Sequence, residues 1–345
     1  MYSEYYGFSG RPFQLTPDPR FYFESATHKK AMAYLGYGLA QGEGFIVVTG
    51  EIGAGKTTLT QHLLEQIDPT RVLAVKIVST NVASDDVLRL VANAFGIVSD
   101  SATKAQLLDR IEQFLHGRAR EGRKVLLIVD EAQNLPTGSL EELRMLSNFQ
   151  SGSRALLQIF LLGQPEFRDK VASPELEQLR QRVIATHHLQ PMEASEVEPY
   201  VHHRLKLVGW SGRPQFTASA YSALYAASGG VPRRLNSLVD RVLVLGALDH
   251  LTTIDAVQVQ AVVDDHAHDE AFVPSPLAPP SAQARQTDTI PPVNALDHAA
   301  RIAMLEAQVA EQGVALRRVL TLLIDWVEQQ RFTERSASVM RSPAA

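Results

Sequence analysis

The stretch Gly50-Glu51-Ile52-Gly53-Ala54-Gly55-Lys56-Thr57 fits the pattern G-x-x-x-x-G-K-[ST] at every fixed position. In this pattern the glycines let the backbone wrap closely around a phosphate, with its N–H groups pointing inward. An apolar run at 45–48 precedes the stretch, and apolar residues at helical spacing follow it over 57–67. The order of strand, loop and helix predicts a phosphate-binding loop at the positive end of a helix. The alternative is a glycine-rich turn without a chemical role.

The side chains that close this loop indicate what it holds. Lys56 is predicted to neutralise the β- and γ-phosphates of a nucleotide, and Thr57 to give its hydroxyl to Mg²⁺. The expected cofactors are therefore ATP and Mg²⁺. The predicted nucleotide-binding residues of this region are Gly50, Glu51, Ile52, Gly53, Ala54, Gly55, Lys56, Thr57 and Thr58.

A second signal for the same chemistry is the apolar run 125–129, which ends in Asp130 and Glu131. At the carboxyl end of a buried parallel strand, side chains reach the ligand crevice. Asp130 is predicted to hold the Mg²⁺ shell and Glu131 to orient and polarise the attacking water; the alternative is that both are solvated turn acids. Another buried run, 156–163, precedes Gln164, which is either a sensor of the γ-phosphate or an ordinary turn residue.

The alternation of strand and helix patterns after position 44 predicts an α/β fold, with a parallel sheet covered by helices on both faces, as in P-loop NTPases. From 195 to 263 every pattern is helical. The aromatic, turn-rich N-terminus is expected to lie over a surface rather than to form a core of its own. The predicted organisation is 1–43 for this aromatic segment and the first helix, 44–190 for the α/β core, 191–268 for a helical lid, 269–296 for a proline-rich linker, 297–332 for a coiled coil and 333–345 for a disordered tail.

Composition narrows the class of protein. The 345 residues are 45% apolar, enough for a sizeable core, and the net charge of −5 gives no bias toward nucleic acid or an anionic membrane. Without cysteine there is neither a disulfide framework nor a thiolate metal site. The histidines at 187–188, 202–203, 266 and 268 lack a recognisable metal-site spacing. A cytoplasmic protein is expected, because there is no signal-peptide pattern and no apolar run of about 20 residues.

The stretch Gly229-Gly230-Val231-Pro232-Arg233-Arg234 predicts the start of a helix in the helical part. Arginine at a helix N-terminus opposes the helix dipole, and a nearby anion would relieve that opposition. The alternative is that both arginines are solvated.

A heptad pattern follows the linker and predicts a coiled coil. Additional apolar residues beside the seam, Leu320, Leu322 and Val327, favour three or more helices or a partner protein over a simple dimer. The alternative is an amphipathic helix that folds back on the α/β core. The seam consists of Ile302, Leu305, Val309, Gln312, Leu316, Val319, Leu323, Trp326 and Gln330.

The chain resembles an AAA+ ATPase in the order of its phosphate loop, the strand end at Asp130 and Glu131, Gln164, Arg182 and the helix start at 229–234. Four further motifs resemble most closely the general secretion pathway protein A (ExeA-like) family of these ATPases. The motifs are Tyr-Tyr-Gly-Phe at 5–8, Pro-Asp-Pro at 17–19, Asp-Glu-Ala-Gln at 130–133 and Gly-Gln-Pro-Glu at 163–166. The resemblance covers about residues 1–268, and within the family it is to the secretion ATPases associated with exosortase (PEP-CTERM) and exopolysaccharide loci. It implies that Arg182 is a finger offered to a neighbouring subunit's γ-phosphate and that Arg233 is the lid's sensor of its own subunit's nucleotide. Arg180 and Arg234 are the respective second choices.

The resemblance implies an oligomeric, ATP-driven motor or switch with shared ATP sites and Mg²⁺-dependent hydrolysis. Its expected role is the assembly or regulation of a secretion or exopolysaccharide export system. A protein partner is expected through the coiled coil, and partners would bring the chain to the inner membrane. One alternative is a transposition-helper-like ATPase that binds DNA, against which the acidic net charge weighs. The other is a scaffold that binds nucleotide without hydrolysing it, against which Glu131 weighs.

Overall fold

A computed structural model describes residues 2–78 and 86–271, with side chains as far as Asp265. The predicted coiled coil, the tail and nearly all of the linker lie outside these residues.

The strands are β1 (Phe45–Gly50), β2 (Val72–Val78), β3 (Lys124–Asp130), β4 (Gln150–Ser151), β5 (Arg154–Ala155), β6 (Leu157–Gly163), β7 (Val183–Leu189), β8 (Gln215–Phe216) and β9 (Thr253–Ile254). The α-helices are α1 (Tyr2–Tyr6), α2 (Ala26–Gln41), α3 (Lys56–Gln66), α4 (Asp86–Ala94), α5 (Lys104–Arg120), α6 (Thr137–Leu146), α7 (Pro165–Ala172), α8 (Glu177–Arg180), α9 (Ala194–Lys206), α10 (Ala218–Ser228), α11 (Pro232–Leu248) and α12 (Ala256–Ala271).

The five long strands form one parallel sheet in the order β2-β3-β6-β1-β7. Side chains alternate across it: Phe45 and Val47 pack with α4 to α8, whereas Ile46 and Val48 pack with α2 and α3. A strand that is buried on both faces reads as a continuous apolar run, which is why β1, β3 and β6 were recognisable in the sequence. The predicted α/β fold, with helices on both faces of a parallel sheet, is confirmed.

The helices α9 to α12, here called the α9–α12 cluster, have a hydrophobic core of their own. The N-terminal segment contributes five aromatic side chains to that core, and burial of each is worth roughly 1.5–3 kcal/mol. They are Tyr2, Tyr6, Phe8, Phe13 and Phe21. The segment therefore does more than lie over a surface, because its aromatic rings complete the core of helices found some 200 residues later in the sequence.

Arg204 of α9 fixes the N-terminal segment to the cluster. Its Nε donates a hydrogen bond of 2.6 Å to the carbonyl of Pro12, and its guanidinium lies 4.7 Å from the ring centroid of Phe21. The side chain is buried, and Nη1 also donates to the hydroxyl of Tyr200 at 2.9 Å. A buried guanidinium requires such partners.

The helices differ from the sequence-based prediction at several places. The last described helix, α12, runs to Ala271 instead of ending near Val263, because the polar residues that follow Val263 continue the helix without an apolar stripe to mark them. The short helices α7 and α8 were not predicted. Each buries only one or two apolar side chains, too few to show a helical period.

Candidate active site

The predicted phosphate-binding loop joins the end of β1 to the start of α3 and contains two glycines in the left-handed region. Gly53 has a φ of 85° and Gly55 a φ of 94°. A Cβ on Gly53 would lie 2.4 Å from the Cβ of Arg233, and one on Gly55 would lie 2.7 Å from Nε2 of His28. Only glycine fits both this conformation and this close packing. The loop is thus held against α11 on one side and α2 on the other.

His28 of α2 links the loop to the N-terminal segment. Its Nδ1 lies 2.7 Å from Oγ of Ser25, the residue that caps α2. Burial lowers the pKa of His28 to about 4, although a hydrogen bond to the backbone of Ala54 opposes the shift. The ring is therefore neutral at physiological pH and braces the loop without adding charge to it.

Lys56 lies across the loop, and its side chain is buried. Nζ donates hydrogen bonds to the carbonyl oxygens of Gly50 at 2.7 Å and Glu51 at 3.0 Å. Burial lowers the pKa of Lys56, while the negative charges of Glu131 and Asp130 oppose the shift. A phosphate is a stronger acceptor for an ammonium group than a carbonyl is, so a bound phosphate would take over these bonds.

Asp130 ends β3 beside the loop and is only 4% exposed. The hydroxyl of Thr57 donates to its Oδ2 at 3.4 Å, and the backbone N–H of Glu131 donates to its Oδ1 at 3.0 Å. Nζ of Lys76, on β2, forms an ion pair with the same Oδ2 at 2.7 Å. The sequence pattern predicted a shared Mg²⁺ site for Thr57 and Asp130 but indicated no role for Lys76. The signal was available, because Lys76 is the only charged residue of the run 72–78.

Glu131 follows with a φ of 56°, a conformation that costs a non-glycine residue energy and that is concentrated at functional sites. The side-chain amides of Gln133 and Gln164 both donate to its Oε2, at 2.6 and 3.2 Å. The backbone N–H of Gln164 donates to Oε1 of Gln133 at 3.1 Å, which ties the two glutamines together. Gln164 thus lies next to Glu131. Gln133 was not among the predicted site residues, although it belongs to the Asp-Glu-Ala-Gln motif.

A cavity of about 250 Å³ opens between the loop, α11 and the N-terminal segment. Arg233 lines it, and its backbone N–H donates to the carbonyl of Gly53 at 3.2 Å, whereas Arg234 is not among the lining residues. The N-terminal segment contributes residues 14–18 and 21–23, which the sequence analysis did not place at the site. The predicted site residues that line the cavity are Ile52, Gly53, Gly55, Lys56, Thr57, Thr58, Glu131, Gln164 and Arg233.

Arg182 is not brought to the loop of its own chain. It precedes β7, whose first residue Val183 pairs with Phe45 at the amino end of β1, whereas the loop follows the carboxyl end of β1. A strand of this length spans about 20 Å. Nη1 of Arg182 lies 3.4 Å from the carbonyl oxygen of Ser147, and Arg182 lines a separate cavity of about 360 Å³. Arg180 does not line that cavity and is paired with Glu177.

The paired histidines of the described residues take part in packing and hydrogen bonding. His188 lies 2.9 Å from the hydroxyl of Thr49, and His202 stacks on Trp210. Among the described residues, no group of three or more His, Cys, Asp or Glu could hold a metal ion. Mg²⁺ does not need such a group, because it is typically bound through one or two carboxylates together with substrate phosphates.

The donor set fits ATP and Mg²⁺. The N-terminus of α3, which has no side-chain cap, and Lys56 suit a chain of phosphates, and the cavity beside them has room for a ligand. The hydroxyl of Thr57 and the carboxylate of Asp130, held 3.4 Å apart, are the hard oxygen ligands that Mg²⁺ prefers.

Known proteins are similar to this chain in sequence. Residues 39–171 match the family described as AAA domain. The chain is 38% identical over 245 residues to General secretion pathway protein A of Aeromonas hydrophila, an alignment that covers 71% of this chain and 44% of that protein. It thus spans less than half the length of this relative.

Solved structures share the fold at low sequence identity. CDC6P from Pyrobaculum aerophilum is 15% identical, with a TM-score of 0.58 over 72% of this chain and 71% of that one. The Aeropyrum pernix ORC1 protein in complex with DNA is also 15% identical, with a TM-score of 0.57 over 77% of this chain and 73% of that one. Among the described residues, no helix has the length and apolar character needed to cross a membrane.

Fold and site together define a P-loop protein of the AAA+ class. Within that class the chain is an ExeA-like AAA+ protein, similar to General secretion pathway protein A over most of its described residues. The resemblance to the ExeA-like family is therefore confirmed.

The packing of Gly53 against Arg233 gives a test of the loop. Gly53→Ala should weaken nucleotide binding by roughly tenfold or more. The new Cβ would lie 2.4 Å from the Cβ of Arg233 and would therefore push the loop away from α11. The measurement is the Kd of a fluorescent ADP analogue. Gly122→Ala is the matched control, since Gly122 has a φ of 73° with no atom within 4 Å of its added Cβ. Equal binding by both variants would show that the contact with α11 does not matter.

Proposed function

We propose that this chain binds ATP with Mg²⁺ and hydrolyses it, as an oligomeric motor or switch. The observation that carries the proposal is the arrangement around Glu131. Its carboxylate is oriented by two amides and lies in the same cavity as Lys56 and Thr57 of the loop. A carboxylate fixed beside a phosphate-binding loop suits the activation of water for phosphoryl transfer.

The chain's own residues would divide the chemistry as follows. Lys56 exchanges its carbonyl partners for phosphate oxygens, and the loop N–H groups hold the remaining phosphate charge. Glu131 would orient the attacking water and accept its proton, and the amide of Gln164, beside Glu131, would sense the terminal phosphate. Mg²⁺, held by Thr57 and Asp130, would supply neutralisation of the charge that develops during transfer.

The contact between Gly53 and Arg233 supports a coupling of hydrolysis to movement. Nucleotide that binds the loop also meets α11, and α11 shares its core with the N-terminal segment. In this proposal the α9–α12 cluster serves as a lid, Arg233 senses the nucleotide of its own subunit, and loss of the γ-phosphate changes the angle between sheet and lid. Arg233 is preferred to Arg234 because it lines the cavity.

The experiment that tests hydrolysis is phosphate release by the full chain. We expect release from ATP that requires Mg²⁺ and that stops when EDTA removes the metal. Binding of ATP without release, at protein concentrations high enough for oligomers to form, would instead support the nucleotide-controlled scaffold.

The pathway is proposed by similarity. General secretion pathway protein A is named for secretion, and the motif resemblance adds the exosortase and exopolysaccharide loci. We infer that the chain supports assembly or regulation of a secretion or exopolysaccharide export system, recruited to the inner membrane by partner proteins.

The heptad pattern over 297–332, outside the described residues, gives a prediction about partners. Leu316→Asp with Leu323→Asp should weaken oligomer formation or partner recruitment in the full chain and leave basal ATPase activity in place. The reason is that each buried aliphatic side chain of a seam contributes roughly 1.5–3 kcal/mol. Sedimentation with and without ATP, and recovery of partners from cell extract, are the measurements.

A chain truncated after Ala271, where α12 ends, should behave like the double variant. Thr321→Asp is the matched control, because it adds a charge to the same stretch at a position outside the seam. Unchanged assembly and unchanged partner recovery in the double variant would mean that this stretch has no assembly role.

A further inference from the structure

The sheet places a second lysine beside the loop, on the same face as Asp130. Lys76 lies on the same face of β2 as Val72 and Ala74, which pack with α3. In the register of the sheet it is paired with Ile128, two residues before Asp130. The extended side chain therefore reaches the carboxyl edge of the sheet. Its Nζ ends 2.7 Å from Oδ2 of Asp130, the oxygen that also accepts from Thr57.

This ion pair is largely withdrawn from water. The Lys76 side chain is 23% exposed and that of Asp130 6%. A carboxylate as buried as Asp130 needs a compensating charge, so the pair stabilises the ligand-free site. The consequence is that the oxygen best placed to bind Mg²⁺ already has a cation bound to it.

We propose that Lys76 competes with Mg²⁺ for Asp130 and thereby sets the metal concentration at which this site responds to nucleotide. Without metal, Lys76 neutralises Asp130 and keeps its negative charge from repelling the phosphates. With metal, Mg²⁺ can reach Asp130 only when Lys76 releases Oδ2. The proposal rests on the proposed nucleotide site and assigns a positioning role to a residue that the phosphate-loop motif does not include.

The test is the binding of a fluorescent ADP analogue, titrated with Mg²⁺ and repeated in EDTA. The midpoint of this titration is the Mg²⁺ concentration that gives half of the metal-dependent change in affinity. In Lys76→Gln we expect this midpoint to fall about tenfold, because Mg²⁺ no longer has to displace a close ion pair in a partly screened site. Affinity in EDTA should fall in the same variant, since Asp130 then faces the phosphates without the charge of Lys76. Lys76→Arg should stay near the wild type because it retains the cation.

Two further variants separate competition from a general effect of charge. Lys104→Gln removes a lysine that is paired with Glu142 away from the site, and it should leave the Mg²⁺ titration unchanged. In an Asp130→Asn background, Lys76→Gln should have no further effect on the titration, because the competitor has lost its target. If Lys76→Gln fails to fold, Lys76→Met keeps the apolar stem and replaces it.

The Mg²⁺ titrations separate failure of the competition from failure of the nucleotide site. A wild-type chain that binds the analogue, with a Lys76→Gln titration that matches it, would overturn the competition while leaving the nucleotide site intact. A titration shifted to higher Mg²⁺ would also overturn it, because Lys76 would then assist metal binding. A wild-type chain that binds no analogue at any Mg²⁺ concentration would remove the nucleotide site and the competition together.

Discussion

Glu131→Gln is expected to bind ATP with wild-type affinity and to lose about 10²- to 10⁴-fold in the rate of phosphate release. Glutamine is nearly isosteric, so the loop, Lys56 and the cavity remain, but the amide cannot accept a proton from water. The measurements are the Kd of a fluorescent nucleotide and single-turnover phosphate release. Turnover like that of the wild type would remove Glu131 from the catalytic role.

Lys56→Ala should show the opposite pattern, in which nucleotide binding is the step that is weakened. Nucleotide affinity should fall by about 10- to 100-fold, because the loop loses a charge-assisted donor to the phosphates. Glu166→Gln is the matched control: Glu166 contributes to the electrostatic field at Lys56, but its side chain is exposed and it does not belong to the hydrogen-bond network of Glu131. We expect that variant to bind and hydrolyse ATP normally.

Site features that are formed by residues close together in the sequence were predictable. The loop was predictable because eight consecutive residues and their flanking strand and helix carry its geometry. Asp130 and Glu131 were predictable as a strand end for the same reason. The apolar run 125–129 lies within β3 (Lys124–Asp130), since every residue of that run is apolar.

The missed residues depend on distant pairings. Lys76 reaches Asp130 only because β2 lies next to β3, and Gln133 reaches Gln164 only because β6 lies next to β3 on its other side. The order of strands in the sheet was not predicted, so neither contact was. His28 was missed for a similar reason, since nothing near it in sequence indicates that α2 packs on the loop.

The N-terminal segment shows a different limit. Its aromatic residues were conspicuous, but their spacing fits no regular element and therefore indicated no partner. Phe13, 1% exposed, and Phe21 lie in the core of the α9–α12 cluster through packing that only the folded chain reveals. One result is that a segment interpreted as a surface covering forms part of the wall of the cavity.

Arg182→Ala, inactive alone, should regain activity when mixed with Lys56→Ala, which is also inactive alone. The structure motivates this expectation because Arg182 lies at the amino edge of the sheet, about a strand length of 20 Å from its own loop. It can therefore act on a nucleotide only in a neighbouring subunit. A junction that joins the intact loop of one variant to the intact arginine of the other would be complete.

The size of the effect makes the mixing experiment decisive. An arginine finger contributes about 10³ to 10⁵ in rate. In an equal mixture about a quarter of the junctions would combine intact loop with intact finger in a head-to-tail ring, so even this minority would dominate the measured phosphate release. Arg180→Ala, mixed with Lys56→Ala in the same way, distinguishes Arg180 from Arg182 as the finger. If Arg180 is not essential, the Arg180→Ala variant releases phosphate on its own. If mixed assemblies form, as sedimentation can establish, and no ratio of Arg182→Ala to Lys56→Ala restores release, the ATP site is not shared through Arg182.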